Sequence, residues 1–225
     1  MESILTIINI KKLLLLATIS LVFISCKKES LTANGNMTTE TRTLAAFTSL
    51  HNSGSTAVHV NYGNEYKVEL RGSSNLIPYF KTTVSNGKLE VGYERVSVKH
   101  DDIELIVTMP TLGRISLSGS SKVDLNGVFP VFDFLKIDIS GSGGVWMKMP
   151  NMANNVAIDI SGSGIADLEK LTSKNAEASI SGSGDTRIVV QERLKASISG
   201  SGQVYYSGNP IVDARISGSG KVIKF

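Results

Sequence analysis

The stretch IDISGSGGVWM at 137–147 is followed by IDISGSGIADL at 158–168, ASISGSGDTRI at 178–188, ASISGSGQVYY at 196–206 and ARISGSGKVIK at 214–224, and it is preceded by ISLSGSSKVDL at 115–125. The starts of these six units are 22, 21, 20, 18 and 18 residues apart. A period near 20 marks an array in which each unit is one coil and buries its apolar face only against its neighbours. Aligned on Ser-Gly, the units alternate with period two, the spacing of extended strands. Leu117, Ile139, Ile160, Ile180, Ile198 and Ile216 form one inward column, and Ile115, Ile137, Ile158, Ala178, Ala196 and Ala214 a second. A second leg beginning at Val123, Val145, Ala166, Thr186, Val204 and Val222 faces the same core. Gly-rich tetrapeptides between β-branched residues suit strands and sharp corners and disfavour helices. The pattern predicts an all-β chain, a parallel β-solenoid (β-helix) with about 18–22 residues per coil.

Residues 111–225 carry the regular repeats, and 44–110 read as degenerate coils of the same solenoid domain. His51-Asn52-Ser53-Gly54-Ser55 and Arg71-Gly72-Ser73-Ser74 preserve a corner glycine within alternating runs. Ser85-Asn86-Gly87-Lys88 between two β-rich stretches predicts a hairpin.

The first 25 residues read as an address. LLLLATISLVFI at 13–24 follows Lys11-Lys12 and stops at Ser25-Cys26. Twelve residues reach only about 18 Å as a helix, short of the roughly 30 Å a membrane core requires. Residues 26–43 are polar and aperiodic, the composition of a flexible tether.

Composition bounds the chemistry. A net charge of +3 without a basic cluster argues against nucleic acid. One cysteine and three scattered histidines argue against a zinc centre, and no motif calls for a cofactor. A serine nucleophile requires a base, yet none of His51, His59 and His100 falls within the repeat. The expectation is a protein without catalysis.

Two outward faces remain as candidates. The corner ladder Ser140, Ser161, Ser181, Ser199 and Ser217 stacks hydroxyls that either bond to one another and to the corner backbone or face a ligand. Asp138 and Asp159 stand in equivalent positions of adjacent coils, in a column that continues as Ser179, Ser197 and Arg215 and so offers no Lys or His beside them. They read as a solvated acidic pair, a glycan or Ca²⁺ contact, or, least of all, a catalytic dyad. On the second leg, Trp146 lies between Asp124 and Asp167. It either stacks on a sugar with the carboxylates binding hydroxyls, or packs under the insertion at 126–136. Register also predicts an Asp167–Arg187 ion pair and Arg187 over Tyr205. The last coil presents an open strand edge, which invites end-to-end pairing with a second copy or a packed cap from the N-terminal half.

Two resemblances add to this reading. Leu21-Val22-Phe23-Ile24-Ser25-Cys26 resembles the lipobox of bacterial lipoproteins, which implies a lipid anchor at Cys26 and residence in the cell envelope, on the outer membrane. Phe47-x-x-Leu50, Ser85-Asn86-Gly87-Lys88-Leu89-Glu90-Val91 and the serial Ile-Ser-Gly-Ser-Gly motifs resemble the head GIN domain of auto-transporter adhesins across about 44–225. That resemblance implies a β-helical fold on the envelope and an adhesive or structural role, with a carbohydrate-binding or carbohydrate-active protein as the alternative.

Overall fold

Alternation decides which side chain is buried in every leg of the array. In 137–140 the isoleucines are 2% exposed or less, while Asp138 and Ser140 face outward. The computed structural model describes residues 29–94 and 96–225. The signal segment 1–25 and Cys26 lie outside the described residues.

The strands in chain order are β1 (Glu29–Thr32), β2 (Met37–Arg42), β3 (Ser49–Asn52), β4 (Ala57–Tyr62), β5 (Lys67–Ser73), β6 (Phe80–Ser85), β7 (Lys88–Tyr93), β8 (Val96–Lys99) and β9 (Glu104–Met109). The repeats supply β10 (Arg114–Gly119), β11 (Lys122–Leu125), β12 (Phe132–Gly141), β13 (Gly144–Met147), β14 (Asn151–Gly162), β15 (Ile165–Gly182), β16 (Asp185–Gly200), β17 (Gln203–Ser207), β18 (Ile211–Gly218) and β19 (Lys221–Lys224).

The molecule is a parallel β-solenoid. First legs pair in the order β10, β12, β14, the end of β15, the end of β16, β18. Second legs pair as β11, β13, the start of β15, the start of β16, β17, β19. Every column read from the sequence is in register: Ile115 with Ile137, Ile158 with Ala178, Ser181 with Ser199, Asp167 with Arg187. Six coils at the strand spacing extend roughly 24 Å over their five steps.

The corner shows why the tetrapeptide is glycine-rich. Gly182 has φ +122°, and a Cβ there would lie 2.5 Å from the Gly162 carbonyl oxygen of the preceding coil. At Gly184 a Cβ would lie 2.5 Å from Ile160 Cγ2. One glycine permits the bend and the other leaves room for an isoleucine one coil away.

The N-terminal part departs from the sequence reading in three ways. The coil of β3 and β4 is not the first of the stack. It lies between β7/β9 on one side and β10/β11 on the other. Residues 67–73, read as a degenerate coil, run antiparallel against β9 as β5. Their alternation is the same for either direction, so sequence does not distinguish them. The third difference is the tether: within 26–43, β2 pairs antiparallel with β5 and β1 pairs with β8. A polar, Thr-rich edge strand exposed along its length has the composition of a linker. The hairpin is present, with β6 antiparallel to β7 across Asn86-Gly87, both at positive φ. Arg42 reaches across this end, donating to the carbonyls of Phe80 at 2.6 Å and Ile77 at 3.1 Å. Phe47, Leu76 and Phe80 fill the core beneath. No helix of the described residues is long and apolar enough to cross a membrane.

Candidate functional site

Outward side chains of the first legs border an open trough of about 610 Å³ that runs over successive coils. Its two columns stand two residues apart along each strand, about 7 Å. One is the serine ladder, Ser140, Ser161, Ser181 and Ser199, which Ser217 continues in register beyond the trough, all exposed. The other is Ser116, Asp138, Asp159, Ser179 and Ser197, continued in register beyond the trough by Arg215. His51 enters the second column because β3 lies beside β10, which places it opposite Ser116.

The ladder hydroxyls do not bond along the stack. Among the described residues, none of the five makes a side-chain hydrogen bond to protein. The corner backbone is satisfied without them: Ser183 N donates to Gly162 O at 2.9 Å and Ser201 N to Gly182 O at 2.8 Å. Since the amides bond from coil to coil, the hydroxyls keep their full capacity for solvent or a ligand.

Asp138 and Asp159 are adjacent as expected, but the column is not without a cation. Lys136 Nζ lies 2.9 Å from Asp159 Oδ2 and 3.4 Å from Asp138 Oδ1. Arg114 Nε donates to Asp138 Oδ2 at 2.7 Å. The hydrogen bond to Asp159, followed by the charge of Asp138, raises the Lys136 pKa above its ordinary value. Two cations therefore offset two carboxylates, which explains how like charges tolerate one coil spacing. A lysine held protonated is a poor general base. Both cations sit two residues upstream of the trough column at the same outward parity. The signal was in the sequence, along the strand rather than across the coils. No group of His, Cys, Asp and Glu suited to a metal ion occurs among the described residues.

The Trp146 face also differs from expectation. Asp124 and Asp167 flank Trp146 in register. Asp124 is engaged with lysines, however: its Oδ1 is 3.2 Å from Lys148 Nζ, an ion pair without hydrogen-bond geometry, and its Oδ2 is 3.9 Å from Lys122 Nζ and from His59 Nδ1. Lys122 and Lys148 also lie 5.2 Å and 5.8 Å, respectively, from the indole centroid. The half-buried ring rests against Gly144, where a Cβ would collide with it. The 126–136 insertion turns Phe129 to Tyr62 at 5.6 Å and to Phe132 at 5.5 Å. Trp146 thus has two lysines beside it and one flanking carboxylate, Asp124, engaged by them, while Asp167 only accepts from Glu169 N at 3.4 Å among the described residues. Arg187 lies 5.0 Å over Tyr205 as expected. The Asp167–Arg187 ion pair is absent among the described residues, because Arg187 turns toward the ring.

A family model described as "Putative auto-transporter adhesin, head GIN domain" matches residues 46–210. The fold is similar to the crystal structure of a "putative adhesin" from Bacteroides fragilis, with TM-score 0.71 and 19% identity over 86% of this chain and 99% of that one. A second "putative adhesin", from Parabacteroides merdae, gives TM-score 0.63 and 19% identity over 88% and 99% of the two chains. A "putative lipid binding protein" from Parabacteroides distasonis gives TM-score 0.63 and 18% identity over 88% and 100%. At these identities the likeness shows the fold alone. Neither the family description nor these names denote an enzyme. No curated protein matches the sequence.

Proposed function

Because this chain belongs to the head GIN domain family of auto-transporter adhesins, we propose that it is a non-catalytic binding module of the cell envelope, lipid-anchored at Cys26, whose serine trough is the adhesive surface. One observation carries this reading: a ladder of exposed hydroxyls without protein partners, fixed at one-coil intervals on a rigid stacked sheet. Hydroxyls repeating at about 4.8 Å suit an extended polar chain that both accepts and donates hydrogen bonds. A carbohydrate chain is the ligand class with that chemistry. The ion cluster of Arg114, Lys136, Asp138 and Asp159 would add charged bonds at one end. One structural neighbour is named for lipid binding, but hydroxyls and paired ions do not favour an acyl chain in this trough.

Protease treatment of intact cells tests display. Wild type should be cleaved on sealed cells, and Cys26→Ala should be lost from the membrane fraction. Protection of wild type would remove the adhesive reading. For the trough, Ser161→Leu with Ser181→Leu should fill it and abolish retention of cells on glycan-coated surfaces. Undiminished retention with normal folding would remove the trough as the binding surface.

A further inference from the structure

The two ends of the solenoid are unlike. At the N-terminal end, antiparallel β2, β5 and β6 cover the last coil, and Arg42 ties them together. At the other end, among the described residues, β18 is paired only with β16 and β19 only with β17. Val212 and Ile216 occupy inward columns whose previous members, Leu194 and Ile198, are 0% and 2% exposed. Here the same positions are 37% and 47% exposed, and Ile211 beside them is 70% exposed. Among the described residues nothing covers this coil.

We propose that a second copy of this chain covers it, through antiparallel pairing of β18 with its own counterpart about a two-fold axis. The sequence of β18 is self-complementary about Ala214. In that register Ala214 lies opposite its own copy, Val212 opposite the partner's Ile216, and Asp213 opposite the partner's Arg215. Parity is preserved, so inward residues meet inward residues and the two cores become one. Outside, the pairing forms two Asp–Arg contacts. Opposite charges directly across an antiparallel pair stabilise it, and like charges oppose it. Lys224 leaves the interface clear by bonding to Asn209 Oδ1 at 2.8 Å. Because the contact uses one patch on both copies it closes at two and does not propagate. An axis perpendicular to the sheet also keeps both troughs on the same side of the pair, with the β18 coils between them. This inference is independent of what the trough binds.

The test uses the full chain carrying Cys26→Ser, which leaves no other cysteine. Sedimentation equilibrium should report a dimer. Arg215→Asp places carboxylates opposite each other twice and should weaken association about tenfold or more. Adding Asp213→Arg to that variant should restore it. Ala214→Cys should form a disulfide-linked dimer under mild oxidation, while Ile211→Cys, which faces Ser217 in this register, should not. Circular dichroism of each variant separates lost pairing from lost folding. A monomer at all concentrations, growth to larger multiples, or failure of the charge exchange to restore association would overturn the proposal.

Discussion

Substituting Gly182 by Ala should cost about 2–6 kcal/mol, and the figure follows from two separable terms. An alanine held at φ +122° occupies backbone space nearly reserved for glycine, about 1–3 kcal/mol. Its Cβ would lie 2.5 Å from the Gly162 carbonyl oxygen, an atom bonded to Ser183 N and unable to yield without shifting a coil. Overpacking of that kind adds about 1–3 kcal/mol. Gly87→Ala isolates the first kind of term, because its φ is +70° but nothing lies within 4 Å of the added Cβ. It should cost only about 1–2 kcal/mol. Urea denaturation followed by circular dichroism measures both, with hydrogen exchange to locate the damage. Since coils interact only with neighbours, a lower denaturant slope for Gly182→Ala would mean that the C-terminal coils detach first. If the two substitutions cost the same within about 1 kcal/mol, the steric part of the argument is wrong.

Other expectations are smaller in scope. Asn151 is buried and bonds Phe129 N at 2.8 Å, Gly127 O at 3.0 Å and Met149 O at 2.9 Å, so it holds the 126–136 insertion down. Asn151→Ala should destabilise by about 2–3 kcal/mol, read as a lower urea midpoint with faster exchange at Phe129. Ile180→Ala should cost about 2–5 kcal/mol, whereas Ser181→Ala next to it should stay within about 0.5 kcal/mol; equal costs in urea titrations would contradict the inward and outward assignment. The raised Lys136 pKa means that the folded state holds this proton more tightly than the unfolded chain. Its contribution is full below the ordinary value of 10.5 and is lost as pH climbs through the raised folded value. A melting-temperature difference between wild type and Lys136→Gln should therefore be seen at pH 8 in low salt and shrink as pH climbs above 10.5, remaining small because the half-buried ion pair is still screened by solvent.

The regular array was legible because one rule, period two with a glycine corner, fixes each residue's direction and its partner one coil away. Once Ile137 is aligned with Ile158, the neighbours of Trp146 and Asp138 follow. The cap was not legible for the opposite reason. An alternating strand such as 67–73 reads the same parallel or antiparallel, and the position of β3 beside both β7 and β10 is set by pairing far apart in sequence. His51 was therefore missed at the trough. In the site itself, reading across the coils found Asp138 beside Asp159 but overlooked Arg114 and Lys136, which approach along the strand. Of the two readings of the serine hydroxyls, service to the corner fails because the amides of Ser183 and Ser201 already bond from coil to coil.

The interleaving of the N-terminal strands also gives the molecule a direction of growth. Until residue 109 has been made, the coil of β3 and β4 lacks its neighbour β9, so the first stable unit must assemble from well-separated segments and bear most of the loop-closure entropy. From β10 onward each addition docks about 20 residues of new chain on a finished surface. Folding should therefore start slowly at the cap and then extend coil by coil toward the C-terminus. The same asymmetry bears on how such proteins lengthen over generations. Ile-Ser-Gly-Ser-Gly units can be duplicated or deleted along the array without disturbing the cap, while an insertion between β3 and β9 would have to rebuild the template on which every later coil is laid.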